Sequence, residues 1–483
     1  MQKTTIDMEE KYIAAIDLGT HKLGLAVARV QGDNVQVVYY KETPSDGIKG
    51  SNVLNPMKAT VPLQKAIQDA EKELMIKILQ VVVGLPRYSV LQETANGGVV
   101  RTDPDEYVTR EEVENLKAMA IDDYPLENPA TQVMFGAVAQ SFSTDEEIQY
   151  VEDDIIGTMS SSLEGNFRVF IGKRKATTAI DKIFSNLGIA LAKKYFLPDV
   201  VAGAVLREDE KQNGVALVDF GAGVTSVSVY HGGIMRYYGS IPFGGKTISN
   251  DIRIECSISD ALAENIKLAY GGCMPSRLST LGEKTIQIRY DDGRVKEIPV
   301  RYLSEIIDAR AREIIDAILF HIQESGYQQQ LRSGIVLTGG AASLLNFGNL
   351  LKDISGYNVT IGYPRHLFSV AGCIGVYDPS ATSAIGMILA AKNDNLPDCV
   401  LAPEIKPEEP AEEESNTPEE DPVSDEQLAK GQLIDPEAFG EKVEVETKPK
   451  RRREPKMTWK KLGEGIGNVF VNLNKVLTDD SNM

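Results

Sequence analysis

The sequence predicts an α/β protein of two similar lobes facing each other across a cleft, followed by a separate tail, and three observations carry this. From Tyr12 to about Asn395, short β-branched runs alternate with longer helical patterns, which is the mark of α/β layering. A strand ending in Asp-x-Gly occurs twice in matching surroundings. Beyond Ala402 the composition changes abruptly to Pro, Glu, Asp and Ser.

The length of 483 residues is enough for two or more lobes with cores of their own. The 70 acidic against 51 basic residues give a formal charge of −19, which argues against a general nucleic-acid binder because phosphate would be repelled. Cys256, Cys273, Cys373 and Cys399 form no CxxC pair and are read as reduced cytoplasmic thiols rather than a disulfide framework. The polar, acidic start of the chain shows no secretory signal, and no long uninterrupted apolar run reads as a membrane span.

The duplicated element is the main functional signal. Ala15-Ile16-Asp17-Leu18-Gly19-Thr20 leads into alternating Leu25 and Val27 and then a turn at Gln31-Gly32-Asp33-Asn34. About 200 residues later, Leu217-Val218-Asp219-Phe220-Gly221-Ala222-Gly223 leads into alternating Val227 and Val229 and a turn at His231-Gly232-Gly233. Each reads as a buried strand, a tight turn and a second strand. One such turn alone is an ordinary hairpin, since Asp and Gly are common turn residues; the matched pair points to a cleft with a function.

A polyphosphate needs backbone N–H donors, close approach with no Cβ in the way, and a metal ion to offset its charge. Gly19 and Thr20 on one side and Gly221, Ala222 and Gly223 on the other supply the backbone. Thr20, Lys22 and Thr225 are candidate side-chain donors, and Asp17 and Asp219 are candidates to orient Mg²⁺ through its water shell. In Gly334-Ile335-Val336-Leu337-Thr338-Gly339-Gly340-Ala341-Ala342 a β-branched strand runs into a glycine pair, and Gly339, Gly340 and Ala341 would let a flat ring lie against backbone. Glu264 and Lys267 share a helix face and are candidates to reach a ribose or base, although such a pair is also an ordinary surface salt bridge. Asp199, in Pro198-Asp199-Val200, is the candidate catalytic residue for positioning a hydrolytic water, with a plain helix N-terminal carboxylate as the alternative. No GxxxxGK[ST], HExxH or GxSxG motif occurs, and His21, His231, His321 and His366 lack metal-ligand spacing and read as surface or packing residues.

The region 402–447 reads as a disordered acidic linker, because its composition cannot bury enough apolar surface to offset chain entropy. The charge inverts at Lys448-Pro449-Lys450-Arg451-Arg452-Arg453. From Met457, Trp459, Leu462, Ile466, Val469, Phe470, Leu473, Val476 and Leu477 recur three or four apart, as one face of a helix. Lys456, Lys460, Lys461 and Lys475 flank that stripe, so the helix is expected to lie in the interface of an anionic membrane, with docking on a protein as the alternative.

Taken together these residues resemble the actin-like ATPase superfamily and, within it, the FtsA family of bacterial cell-division proteins. The wider resemblance rests on Ile16-Asp17-Leu18-Gly19-Thr20, Val218-Asp219-Phe220-Gly221-Ala222-Gly223 and Val336-Leu337-Thr338-Gly339-Gly340-Ala341. The narrower one rests on Gly232-Gly233-Ile234-Met235-Arg236, Ser240-Ile241-Pro242-Phe243-Gly244-Gly245, Asp251-Ile252, Ala263-Glu264-Asn265-Ile266-Lys267, Ser383-Ala384-Ile385-Gly386 and the tail.

The resemblance implies an actin-like fold of four subdomains. These are 1A at 11–90 and 167–197 with the closing helix 376–395, an inserted 1C at 91–166, 2A at 198–253 and 330–375, and 2B at 254–329. The membrane unit is 448–480. It implies ATP and Mg²⁺ in the cleft, with Gly244 and Gly245 added to the cofactor-binding set, and slow ATP turnover at most. It implies self-assembly into protofilaments, contact of 2B with the C-terminal tail of FtsZ, contact of 1C with other divisome proteins, and attachment to anionic lipid on the cytoplasmic face of the inner membrane at the septum. A small-molecule kinase or a pilus-assembly scaffold of the same fold is the alternative. Ala222 and Val224 stand where the family often has Gly and Thr, so whether Thr225 replaces a donor is left open.

Overall fold

The computed structural model describes residues 10–145, 148–290 and 293–401, and the backbone alone of Lys442–Glu446. The first lobe begins as a meander: β1 (Lys11–Leu18), β2 (Lys22–Gln31) and β3 (Asn34–Pro44) pair antiparallel in chain order. Ile13, Ala14, Ala15 and Ile16 of β1 are all fully buried, as expected of a strand covered on both faces. Helix α1 (Pro56–Leu74) starts where the Asn55 side chain accepts from the Lys58 amide and Pro56 fits the first turn; it lays Leu63, Ala66, Ile67 and Ala70 inward. Strand β4 (Gln80–Gly84) then enters parallel to β1.

At the end of β4 the chain leaves to build an inserted unit. Strands β5 (Leu91–Val100) and β6 (Gln132–Thr144) flank β7 (Ser162–Lys173), all antiparallel, with α2 (Arg110–Asp122) packed on the sheet. A reciprocal capping box between Thr109 and Glu112 starts α2. The core beneath it contains Val113, Leu116, Leu163 and the edge-on pair Phe142 and Phe167. The chain returns through α3 (Arg174–Leu187) to β8 (Ala190–Tyr195), which lies parallel to β4 on the side away from β1.

Helix α4 (Leu197–Val205) carries the chain into the second lobe, where the plan repeats. Strands β9 (Val215–Phe220), β10 (Thr225–His231) and β11 (Ile234–Ile241) form the same antiparallel meander. Helices α5 (Gly245–Cys256) and α6 (Asp260–Tyr270), the small hairpin β12 (Thr285–Arg289) and β13 (Val295–Pro299), and the long α7 (Val300–Glu324) follow. Strand β14 (Ile335–Thr338) then lies parallel to β9, as β4 lies beside β1, and after α8 (Phe347–Ser355) β15 (Val359–Ile361) completes the sheet.

The closing helix α9 (Thr382–Asn393) returns to the first lobe and lies against α4. A Cβ at Gly386 would sit 2.4 Å from the Val200 carbonyl oxygen, so glycine sets the closeness of this crossing. The architecture is thus a mixed α/β fold of two like lobes, as the duplicated motif implied.

Residues 442–446 lie within the span read as disordered linker, yet they run as a strand antiparallel to β12, with Thr285 opposite Glu446 and Arg289 opposite Lys442. Lys442-Val443-Glu444-Val445-Glu446 alternates with the two-residue period of a strand, a signal that the acidic composition around it masked. All four cysteines are unpaired. Among the described residues, no helix is long and apolar enough to cross a membrane. The expected amphipathic helix, with Trp459 to Leu477, falls outside the described residues.

Candidate functional site

The two Asp-x-Gly hairpins have one register. Leu18 pairs with Leu23 and Phe220 with Thr225, so each turn closes over the same number of residues; Asp17 and Asp219 stand one pair further back, opposite Gly24 and Ser226. The first glycine plays the same part in both. A Cβ on Gly19 would lie 2.4 Å from the Lys22 carbonyl oxygen, and one on Gly221 would lie 2.8 Å from that of Val224. Across the cleft the turns touch, for a Cβ on Gly223 would meet the Thr20 hydroxyl at 2.6 Å.

Between them lies a cavity of about 600 Å³, within the range of small-ligand sites. Asp17, Gly19, Thr20 and Lys22 line it from the first lobe. Asp219, Gly221, Ala222, Gly223, Gly245, Glu264, Lys267, Gly339, Gly340 and Ala341 line it from the second. Residues far apart in sequence that pattern and resemblance singled out are therefore gathered on one surface.

The second-lobe wall is held by backbone. The α5 amides of Gly245 and Lys246 donate to the carbonyls of Gly221 and Ala222 at 3.0 and 2.8 Å, so the otherwise unpaired donors of a helix start fix the turn in place. Gly339 has φ +89°, and a Cβ there would fall 2.4 Å from Asp219 Oδ1 and 2.6 Å from the Phe220 carbonyl oxygen. Both backbone conformation and space demand glycine.

Lys267 Nζ donates to the Gly245 carbonyl at 3.0 Å, to Ser249 Oγ at 2.9 Å and to Glu264 Oε2 at 2.9 Å, while the Ser249 hydroxyl also bonds Glu264. Burial raises the Glu264 pKa, but Lys267 and Ser249 outweigh it and hold the carboxyl below its usual range; burial lowers that of Lys267. The pair is part of the cleft wall rather than a surface salt bridge.

Asp17 is pushed above the usual carboxylate range by burial and by Asp219, against the pull of Arg87. Mg²⁺ takes one or two carboxylates and completes its shell with water and phosphate, so this pair at the strand ends suits it. Among the described residues no group of three or more His, Cys, Asp or Glu gathers to hold a metal with protein ligands alone.

Three expected residues stand apart from the cavity lining. Thr225 is fully buried, because its place in the β9–β10 register turns it into the sheet, and its hydroxyl donates to the Phe243 carbonyl at 2.8 Å. It supplies no donor to the cleft. Gly244 packs behind the second turn, where a Cβ would lie 2.4 Å from the Gly221 carbonyl oxygen. Asp199 lies on α4, whose inward face includes Leu197, Val200, Val201 and Ala204, and is not among the residues that line the cavity.

Sequence reading missed Arg87 and His21. His21, taken as a surface or packing residue, lines the cavity, where burial lowers its pKa. Arg87 follows the carboxyl end of β4, and its Nη2 lies 3.1 Å from Asp219 Oδ2 and 2.5 Å from Ser383 Oγ. The usable signal was positional: β4 runs parallel to β1, and ligands of open α/β sheets collect at the carboxyl ends of parallel strands.

A family model described as Cell division protein FtsA matches residues 216–386. Cell division protein FtsA of Neisseria meningitidis serogroup B is 28% identical over 400 residues, covering 81% of this chain and 93% of that protein. That of Pseudomonas aeruginosa is 28% identical over 385 residues, covering 78% and 89% respectively. That of Bacillus subtilis is 24% identical over 390 residues, covering 80% and 85%. Among solved structures, a PilM-PilN type IV pilus biogenesis complex superposes with a TM-score of 0.53 at 16% identity, covering 78% of this chain and 98% of that one, a likeness of fold alone. With a family model lying on the second lobe and relatives aligned along most of both, the chain is similar to the FtsA cell division proteins over most of its length.

Proposed function

We propose that the cleft binds ATP with Mg²⁺, and that the chain is a nucleotide-controlled filament protein holding FtsZ to the inner membrane at the division septum. The observation that carries the nucleotide reading is the pair of matched Asp-x-Gly turns meeting across one cavity. In this reading the backbone of Gly19, Thr20, Gly221, Ala222 and Gly223 wraps the phosphates from both lobes. Asp17 and Asp219 hold Mg²⁺ through its water shell, and the ion offsets phosphate charge. Gly339, Gly340 and Ala341 give the base a flat bed, while Glu264 and Lys267, already fixed by Ser249, stand where a ribose or base edge can reach them. Gly245 and Lys22 complete the wall, and Lys22 is held by an ion pair with Glu42.

A ligand clasped by two lobes favours the closed arrangement by its differential contacts, so ATP would bias one lobe geometry, and with it the polymer. Similarity to the FtsA cell division proteins supports a role in division. The basic run and apolar stripe of the tail support attachment to anionic lipid, with many tails in one filament adding avidity. The region 254–329 is proposed as the docking unit for the FtsZ tail, and the insertion near 91–166 as a contact for other divisome proteins.

The test is co-sedimentation of the full chain, and of a version ending at Lys450, with anionic liposomes and a fluorescent FtsZ tail peptide, with and without Mg-ATP. ATP-dependent polymer on the vesicles, lost on truncation, and peptide carried down by the full chain are expected. Vesicle binding that survives truncation sinks the tail as anchor; no peptide binding sinks the FtsZ assignment.

A further inference from the structure

We propose that Arg87 reads the third phosphate of the bound nucleotide and passes its presence to the inserted sheet of β5, β6 and β7. This rests on the reading of the cleft as a nucleotide site. Arg87 is the guanidinium of the cavity lining, its side chain is only 12% exposed, and it stands against Asp219. As the cleft stands, it is the cation that offsets Asp219, with Asp17 close by.

Two features make that placement one of two. Arg87 Nη2 is bound to Asp219 and Ser383, but Nε is buried with no partner. A buried guanidinium nitrogen left unmet is costly, and an added oxyanion is the acceptor that relieves it. The second feature is exclusivity. A guanidinium and a divalent ion at Asp219 would repel each other, so the head of Arg87 leaves that carboxylate when a metal-bound nucleotide enters. Its backbone is held, because its amide donates to Ser51 Oγ at 3.0 Å and its carbonyl accepts from the Tyr238 hydroxyl at 2.6 Å. The side chain therefore takes most of the swing and strains the held backbone, and a phosphate matches the planar fork that it carries. The amides of the two turns are shared between the inner phosphates, whereas the third phosphate is the group that ADP lacks.

The relay is structural. Arg87 lies in the connector between Gly84, the last residue of β4, and Leu91, the first of β5. Tyr238, which holds its carbonyl, also donates its amide to Gln92 Oε1 at 3.0 Å and packs edge-on to Phe170 of β7 with ring centroids 6.1 Å apart. A swing of the Arg87 head therefore loads the backbone carbonyl that Tyr238 holds, and Tyr238 touches β5 and β7 directly.

The experiment measures binding of mant-ATP and mant-ADP, each with Mg²⁺, to the full chain and to Arg87→Ala and Arg87→Lys. Hydrogen exchange of residues 91–100 and 162–173 is followed in the same samples, and thermal melting shows that each variant is folded. The full chain should prefer the triphosphate. Arg87→Ala should lose about 10-fold or more of its mant-ATP affinity while mant-ADP changes by less than about 3-fold, the size of one charged hydrogen bond. Arg87→Lys, with charge but no fork, should fall between. Exchange in the inserted strands should differ between the two nucleotides in the full chain and not in Arg87→Ala. Equal loss of both nucleotides, no loss of either, or an ATP-specific exchange pattern that survives Arg87→Ala overturns this proposal alone. A full chain that binds neither nucleotide overturns the nucleotide reading, and this proposal with it.

Discussion

At Gly339 two demands coincide. Its φ of +89° and the 2.4 Å gap between an added Cβ and Asp219 Oδ1 leave no room for alanine without displacing the carboxylate. Gly339→Ala should cost about 1–3 kcal/mol of stability through backbone strain, seen in denaturant titration, and should weaken Mg-ATP more than metal-free ATP because Asp219 is the group displaced. Asp219→Ala acts more directly: it should lower ATP affinity in Mg²⁺ and flatten the dependence on the metal. Unchanged affinity with and without Mg²⁺ would place the metal elsewhere. Lys267→Ala removes the cation from a partly buried carboxylate and should cost about 1–3 kcal/mol, readable as a lower melting temperature, unless Glu264 takes up a proton.

At the scale of elements, the turn that repeats is also the part most legible in the sequence. Asp17-Leu18-Gly19 and Asp219-Phe220-Gly221 were recognisable because each rule they obey is local: a strand ends, a glycine follows, a hairpin returns. The two α/β lobes followed from the same repetition. What pattern could not reveal depends on register or on long-range contact. Thr225 reads as a donor until its pairing with Phe220 turns it inward, and Arg87 has no motif because its partner Asp219 comes from the other lobe. Asp199 was assigned by its place at a helix start, but which face of α4 it takes is decided by the helix packed against it.

That packing carries its own prediction. Gly386 brings α9 against the Val200 carbonyl of α4, so Gly386→Ala should separate the two helices and cost about 1–3 kcal/mol in chemical denaturation. An unchanged midpoint would mean that the crossing relaxes freely.

Over the whole molecule, charge and placement separate the functions. The chain is strongly acidic, yet the basic run Lys448 to Arg453 and the stripe from Trp459 to Leu477 are gathered at one end. A basic residue near an anionic surface contributes about 1 kcal/mol and a buried large side chain about 1.5–3, so on the proposed reading one tail would bind reversibly and a filament firmly. Trp459→Glu should therefore reduce liposome binding of the full chain by about 10-fold or more in sedimentation; full retention would show that the stripe does not face lipid. The cleft takes its walls from both lobes, so that anything bound there reports on how they stand to each other.

The measurement that bears most directly on this account is calorimetric titration of the full chain with Mg-ATP, beside Gly223→Val, in which the new side chain meets Thr20 across the cleft. One nucleotide bound per chain, and none by a variant that circular dichroism shows to be folded, is the predicted result. No binding by the full chain, or equal binding by the folded variant, would contradict it.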